Sequence, residues 1–145
     1  MRYDQWLIDK LRNHEEMKQS LILIPEQIKT LELKMETLKA AATDKVIVSG
    51  GTDHSEDERI ANIHERDVLT RNLEIARREV ETMEKALSEL TDDERTVIDG
   101  FFINRRNGYL CALCDELNCE VSNVYKLKNK AMVSLARRLL GIVEL

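Results

Sequence analysis

Between Leu21 and Leu38 apolar residues return every three or four positions, at Leu21, Ile24, Ile28, Leu31, Met35 and Leu38. Spacings that alternate 3 and 4 put these side chains along one side of a helix, as in the a/d seam of a coiled coil. The pattern predicts a helical segment from about Tyr3 to Ala42. Pro25 falls inside it. Proline lacks a backbone donor and crowds the preceding turn, so a kink or restart is expected there, with Trp6, Leu7 and Leu11 on a separate short helix. A second seam runs through Leu69, Leu73, Ala76, Val80, Met83, Leu87 and Leu90, flanked by Arg71, Glu74, Arg77, Glu81, Glu84 and Lys85. It predicts a helix that begins between Ser55 and Glu58 and ends at Leu90. Between the seams, residues 43–59 break the period, and Gly50-Gly51 with an acidic, Ser/Thr-rich flank predicts a loop. Val46-Ile47-Val48 is too short to read as a strand. Two stripes joined by one loop predict an antiparallel, coiled-coil-like hairpin over residues 1–90. Such a hairpin buries little area, which points to a homodimer through these N-terminal helices.

Residues 91–145 carry a different pattern. Thr91 followed by Glu94 is the signature of a capping box and starts a helix through Val97, Ile98, Phe101 and Phe102 that ends around Asn104 to Gly108. A second helix presents Leu110, Leu113, Cys114 and Leu117 on one side. After a turn at Asn118-Cys119-Glu120-Val121, Ser122 is read as the cap of a third helix reaching about Leu140. On that helix Val124, Leu127, Ala131, Leu135 and Leu139 form the inward face. Ser122, Asn123, Tyr125, Lys126, Asn129 and Lys130 fall together on the opposite one, at 100° per residue. Hydroxyl, amide and ammonium groups are those that bond base edges and phosphates, and a second helix entering the major groove is the docking mode of a helix-turn-helix. The expected fold is all-α, a long helical hairpin followed by a C-terminal trihelical helix-turn-helix domain.

Composition sharpens this picture. Aromatics are only 4% of residues and charged residues 34%, which fits long helices burying a narrow stripe better than a large globular core. The formal net charge of −5 argues against nucleic acid until its distribution is followed. From Ser122 to Gly141 there are five basic residues (Lys126, Lys128, Lys130, Arg137, Arg138) and no acidic one. One cationic helix on an acidic chain is the footprint of a protein that meets DNA through a single element.

Other chemistry is sparse. Cys111, Cys114 and Cys119 lack a fourth ligand nearby, since His14, His54 and His64 all lie in the other half, so no metal or other cofactor is expected and the thiols read as small buried apolar groups. There is no Gly-rich phosphate loop, GxSxG or HExxH, and no enzyme is expected. Charges at Arg2, Asp4, Asp9, Lys10 and Arg12 interrupt any apolar leader, and Leu21-Ile22-Leu23-Ile24 is too short to span a bilayer. These features point to the cytoplasm, with no membrane contact.

Leu90-Thr91-Asp92-Asp93-Glu94-Arg95, Val97-Ile98 and Phe101, followed by Cys114-Asp115-Glu116-Leu117, Val121-Ser122, Val124-Tyr125, Lys130-Ala131 and Leu135-Ala136, resemble region 4 of bacterial sigma factors. More closely, they resemble the phage-encoded ArpU/RinA-type transcriptional regulators. One departure favours the second family: Leu117 follows Glu116, where sigma region 4 usually has a small residue. The resemblance implies a phage or prophage regulator that activates late genes. It would bind double-stranded promoter DNA with a recognition helix over about 122–136, Ser122 to Lys130 foremost, and contact host RNA polymerase. Two other functions fit the same residues. One is a phage small terminase subunit that binds packaging-site DNA as a ring of eight or more copies. The other is an interaction protein that binds RNA polymerase and no DNA.

Overall fold

The computed structural model describes the backbone over residues 3–44 and 54–141, with side chains over 3–40 and 56–141. Every described element is helical: α1 (Tyr3–Arg12), α2 (His14–Asp44), α3 (His54–Ser88), α4 (Asp92–Ile98), a π-helical turn (Asp99–Ile103), α5 (Tyr109–Leu117) and α6 (Val121–Leu140). The all-α expectation therefore holds for the described residues. None of these helices is long and apolar enough to cross a membrane.

Several boundaries differ from the sequence reading, among them the end of α3, which falls at Ser88 and not at Leu90. The break in the first segment falls at Asn13, not at Pro25, which sits inside α2. Proline denies the Leu21 carbonyl one hydrogen bond, but Pro25 is exposed, and the other turns of a 31-residue helix hold it in place. At Asn13 the bonding continues, with Asn13 N–H to the Asp9 carbonyl at 3.0 Å and Met17 N–H to the Asn13 carbonyl at 2.9 Å. The break in the period is also narrower than 43–59, because α2 extends to Asp44 and α3 starts at His54. Val46-Ile47-Val48 and Gly50-Gly51 lie outside the described residues.

The chain forms two compact units whose boundary falls within α2 and α3: Met1–Met17 with Arg78–Leu145, and Lys18–Arg77. This division differs from one at residue 90 because α1 and the last turns of α3 share a core with the C-terminal helices. Leu7 and Leu11 of α1 are fully buried beside Met83, Ala86 and Leu87 of α3. They meet Val97, Ile98, Phe101, Phe102, Leu113, Val124, Ala131 and Leu135 in one cluster. Tyr3 and Trp6 dock half-buried on the same cluster. Polar links close its edge: Lys10 Nζ lies 3.0 Å from Glu79, and the buried His14 Nε2 lies 2.9 Å from Glu84.

The second unit has a thinner interior. The predicted α2 seam is its less exposed side, with Leu31 buried and Leu21, Ile24, Ile28, Met35 and Leu38 half-buried. From α3, Ala76 is buried, Leu69 and Leu73 are half-buried, and Asn62 takes the heptad position one repeat before Leu69. The Asn62 side-chain amide is buried with no hydrogen-bond partner among the described residues. Ile22, Leu23, Leu33, Ile60, Ile63, Val68 and Ile75 are exposed on this unit, against Val121, Tyr125 and Leu140 on the other. Thr30, Thr37 and Thr70 return their hydroxyls to carbonyls four residues earlier, which accommodates them in mid-helix.

Candidate nucleic-acid interface

Thr91 caps α4 in extended conformation, and the capping box is present in full. Glu94 N–H donates to Thr91 Oγ1 at 3.2 Å, while the Thr91 hydroxyl donates to Glu94 Oε1 at 2.9 Å. After Ile98 the helix opens into the π turn, closed by Asn104 N–H to the Asp99 carbonyl at 2.8 Å, and Asn104 Nδ2 donates to the Asp99 carboxylate at 2.7 Å. The turn carries Phe101 and Phe102 into the core. It also brings Gly100 against α5: a Cβ there would stand 2.8 Å from Leu113 Cδ2. A side chain at this position would force the buried Leu113 to shift, which glycine avoids.

α5 ends at Leu117, and Asn118 takes the left-handed conformation (φ 55°, ψ 46°) with its N–H on the Cys114 carbonyl. Cys119 N–H reaches the same carbonyl at 3.2 Å. Asparagine is one of the few side chains that accept this conformation readily, so the turn is written in a single residue. Glu120 is the N-cap of α6, in extended conformation and without a side-chain cap bond. Ser122 is therefore not the cap but the second residue of the helix, and the turn is one residue shorter than expected. The left-handed Asn118 reverses the chain in a single step, and the Glu120 carbonyl already accepts from Asn123 and Val124 N–H at 3.0 and 3.1 Å.

α6 buries Val124, Ala131, Met132, Leu135 and Ala136, while Leu127 and Leu139 are half-buried. Ser122, Asn123, Lys126, Asn129 and Lys130 are all exposed, and helical spacing gathers them on the outward face. Tyr125 also reaches solvent (39% exposed), but its ring packs edge-on to Phe101 at 5.6 Å. Of the basic residues of α6, Lys128 alone turns inward, its Nζ lying 5.5 Å from the Phe101 ring and 5.6 Å from that of Tyr125.

Phe101 makes a second edge contact, with Tyr109 at 5.2 Å, and Arg105 covers that ring at 4.3 Å while donating to the Tyr109 hydroxyl at 3.0 Å. A continuous row of Arg105, Tyr109, Phe101, Tyr125 and Lys128 thus ties the loop before α5 to the first turns of α6. Cation over ring and edge-to-face ring pairs are both attractive geometries. The exposed Arg105 and the neighbouring Arg106 are cations that the sequence reading missed; the four-residue step from Arg105 to Tyr109 was the available signal.

Comparison with protein-family models, curated proteins and solved structures returned no match to this chain.

None of the three cysteines is in a disulfide: Cys111 is exposed, and Cys114 and Cys119 are half-buried. Burial pushes the Cys114 thiol above its usual range, and the neighbouring Cys119, Cys111 and Asp115 push it the same way. Among the described residues no three His, Cys, Asp or Glu side chains are grouped to hold a metal ion.

Proposed function

We propose that this chain is a double-stranded-DNA-binding transcriptional regulator of the phage or prophage type, with α5, the Asn118 turn and α6 acting as its helix-turn-helix. One observation carries the reading: an acid-free, 20-residue helix buries one face in a helical core and presents Ser122, Asn123, Lys126, Asn129 and Lys130 on the other. In this reading α6 lies in the major groove as the recognition helix over about 122–136. Asn123 and Asn129 offer amides to base edges and the lysines neutralise phosphates. Tyr125 serves chiefly to hold the helix on Phe101. In the Lys18–Arg77 unit, α2 and α3 form a hairpin whose exposed Ile22, Leu33, Ile60, Ile63, Val68 and Ile75 support pairing with a second copy. Late-gene activation and contact with host RNA polymerase follow from the family resemblance.

The test is binding of the purified protein to the DNA flanking its own gene, by fluorescence anisotropy over a salt series with random competitor. Competitor-resistant binding that is lost in the Lys126→Ala/Lys130→Ala variant is expected. Weak binding that the variant leaves unchanged would refute the reading and direct the search to protein partners.

A further inference from the structure

The outward face of α6 continues well past the residues assigned to base reading. Asn123, Lys126, Lys130, Ser134 and Arg137 are spaced 3, 4, 4 and 3, one stripe along the whole helix. Arg138 lies beside Arg137, and both are exposed with no ion pair to a carboxylate among the described residues. An open groove of about 610 Å³ runs along this end of the helix, bordered by Lys130, Ser134, Arg137 and Arg138. Among the described residues its one acid is Glu94, which is 6% exposed and accepts both the backbone N–H and the hydroxyl of Thr91, so its carboxylate is engaged in the capping box.

From Asn123 to Arg137 is fourteen residues, or about 21 Å at 1.5 Å per residue. The major groove is about 12 Å wide. A straight helix whose first turns face base edges therefore carries its distal end past the groove wall, where phosphates and not bases are in reach. Arginine suits that position, because its planar fork bonds phosphate oxygens in pairs.

We infer that Arg137 and Arg138 form a second, sequence-independent contact with the sugar-phosphate backbone of duplex DNA, distinct from the base-reading face. This rests on the reading of α6 as a recognition helix. Lys130 and the small Ser134 link the two parts, leaving room for the strand to approach the helix.

The experiment measures affinity of the full chain for its own flanking duplex and for a random duplex, each over a salt series. The variants are Arg137→Ala/Arg138→Ala, Arg137→Gln/Arg138→Gln and Arg137→Lys/Arg138→Lys, with Lys126→Ala/Lys130→Ala beside them. Neutralising the arginines is expected to weaken both duplexes by the same factor and flatten the slope of log affinity against log salt by about 2, with the specificity ratio unchanged. The Lys variant, which keeps the charge, retains most of that slope. The Gln variant preserves helix length and polarity, and far-ultraviolet circular dichroism shows that each protein is folded. An unchanged slope in both neutral variants, while Lys126→Ala/Lys130→Ala loses binding, overturns the second contact and leaves the regulator reading standing. A changed specificity ratio also overturns it, because the arginines would then read bases. Absence of salt-dependent DNA binding by the parent chain overturns both.

Discussion

Single side chains carry much of the definition of the C-terminal helices. Thr91 secures the start of α4 through hydroxyl and backbone together, so Thr91→Ala is expected to lower unfolding free energy by about 1 kcal/mol in urea titration. Retention of wild-type stability would mean that the capping box is redundant. The cysteines differ in reactivity for a physical reason. Thiolate is the nucleophile, and burial with neighbouring thiols and Asp115 pushes the Cys114 pKa up, whereas Cys111 is exposed. Alkylation followed by peptide mass spectrometry should modify Cys111 first. As the pH rises, the Cys114 rate should climb later than that of an ordinary thiol. Equal rates at neutral pH would show that burial does not govern the pair. The same raised pKa means that folding holds the Cys114 proton more tightly than the unfolded chain does. Its contribution is thus present below the ordinary thiol pKa and is lost as pH rises through the folded value.

At the scale of elements, the turns decide how α4, α5 and α6 meet. Asn118 sits at φ 55°, where a Cβ-bearing residue without a side-chain amide is strained. Asn118→Ala should cost about 1 kcal/mol and Asn118→Gly much less, read from unfolding midpoints. Gly100→Ala would press a methyl against Leu113, itself buried, and should cost about 1–3 kcal/mol by overpacking. The apolar period made the long helices and the inward face of α6 legible, because burial along a helix leaves a mark every three or four residues. The Thr91–Glu94 box was equally legible, since both partners lie within one turn. Pro25 misled as to a restart, because α2 runs through it as one helix. Ser122 misled because its capping chemistry suits the role, while the backbone had already turned at Asn118. Of the row from Arg105 to Lys128 only the first step, Arg105 to Tyr109, left a mark in the sequence. The rest depends on the π turn, which aims Phe101 between Tyr109 and Tyr125, and no periodicity announces that turn.

Among the described residues, burial is concentrated in the Met1–Met17 and Arg78–Leu145 unit, while the Lys18–Arg77 unit leaves seven large apolar residues exposed. Light scattering should report a mass of twice 16.8 kDa, and charged substitutions at Ile63 and Ile75 should return the monomer. A monomeric parent chain would remove the pairing proposal; eight or more copies would favour the terminase alternative. Charge is just as unevenly distributed. α6 contributes +5 to a chain that totals −5, so the remainder carries −10. For a protein that meets DNA, this asymmetry sets a search tempo. If α6 meets DNA as proposed, the −10 carried by the rest of the chain would disfavour other encounters and shorten residence on random sequence, so the target would be found by many separate collisions more than by long one-dimensional sliding.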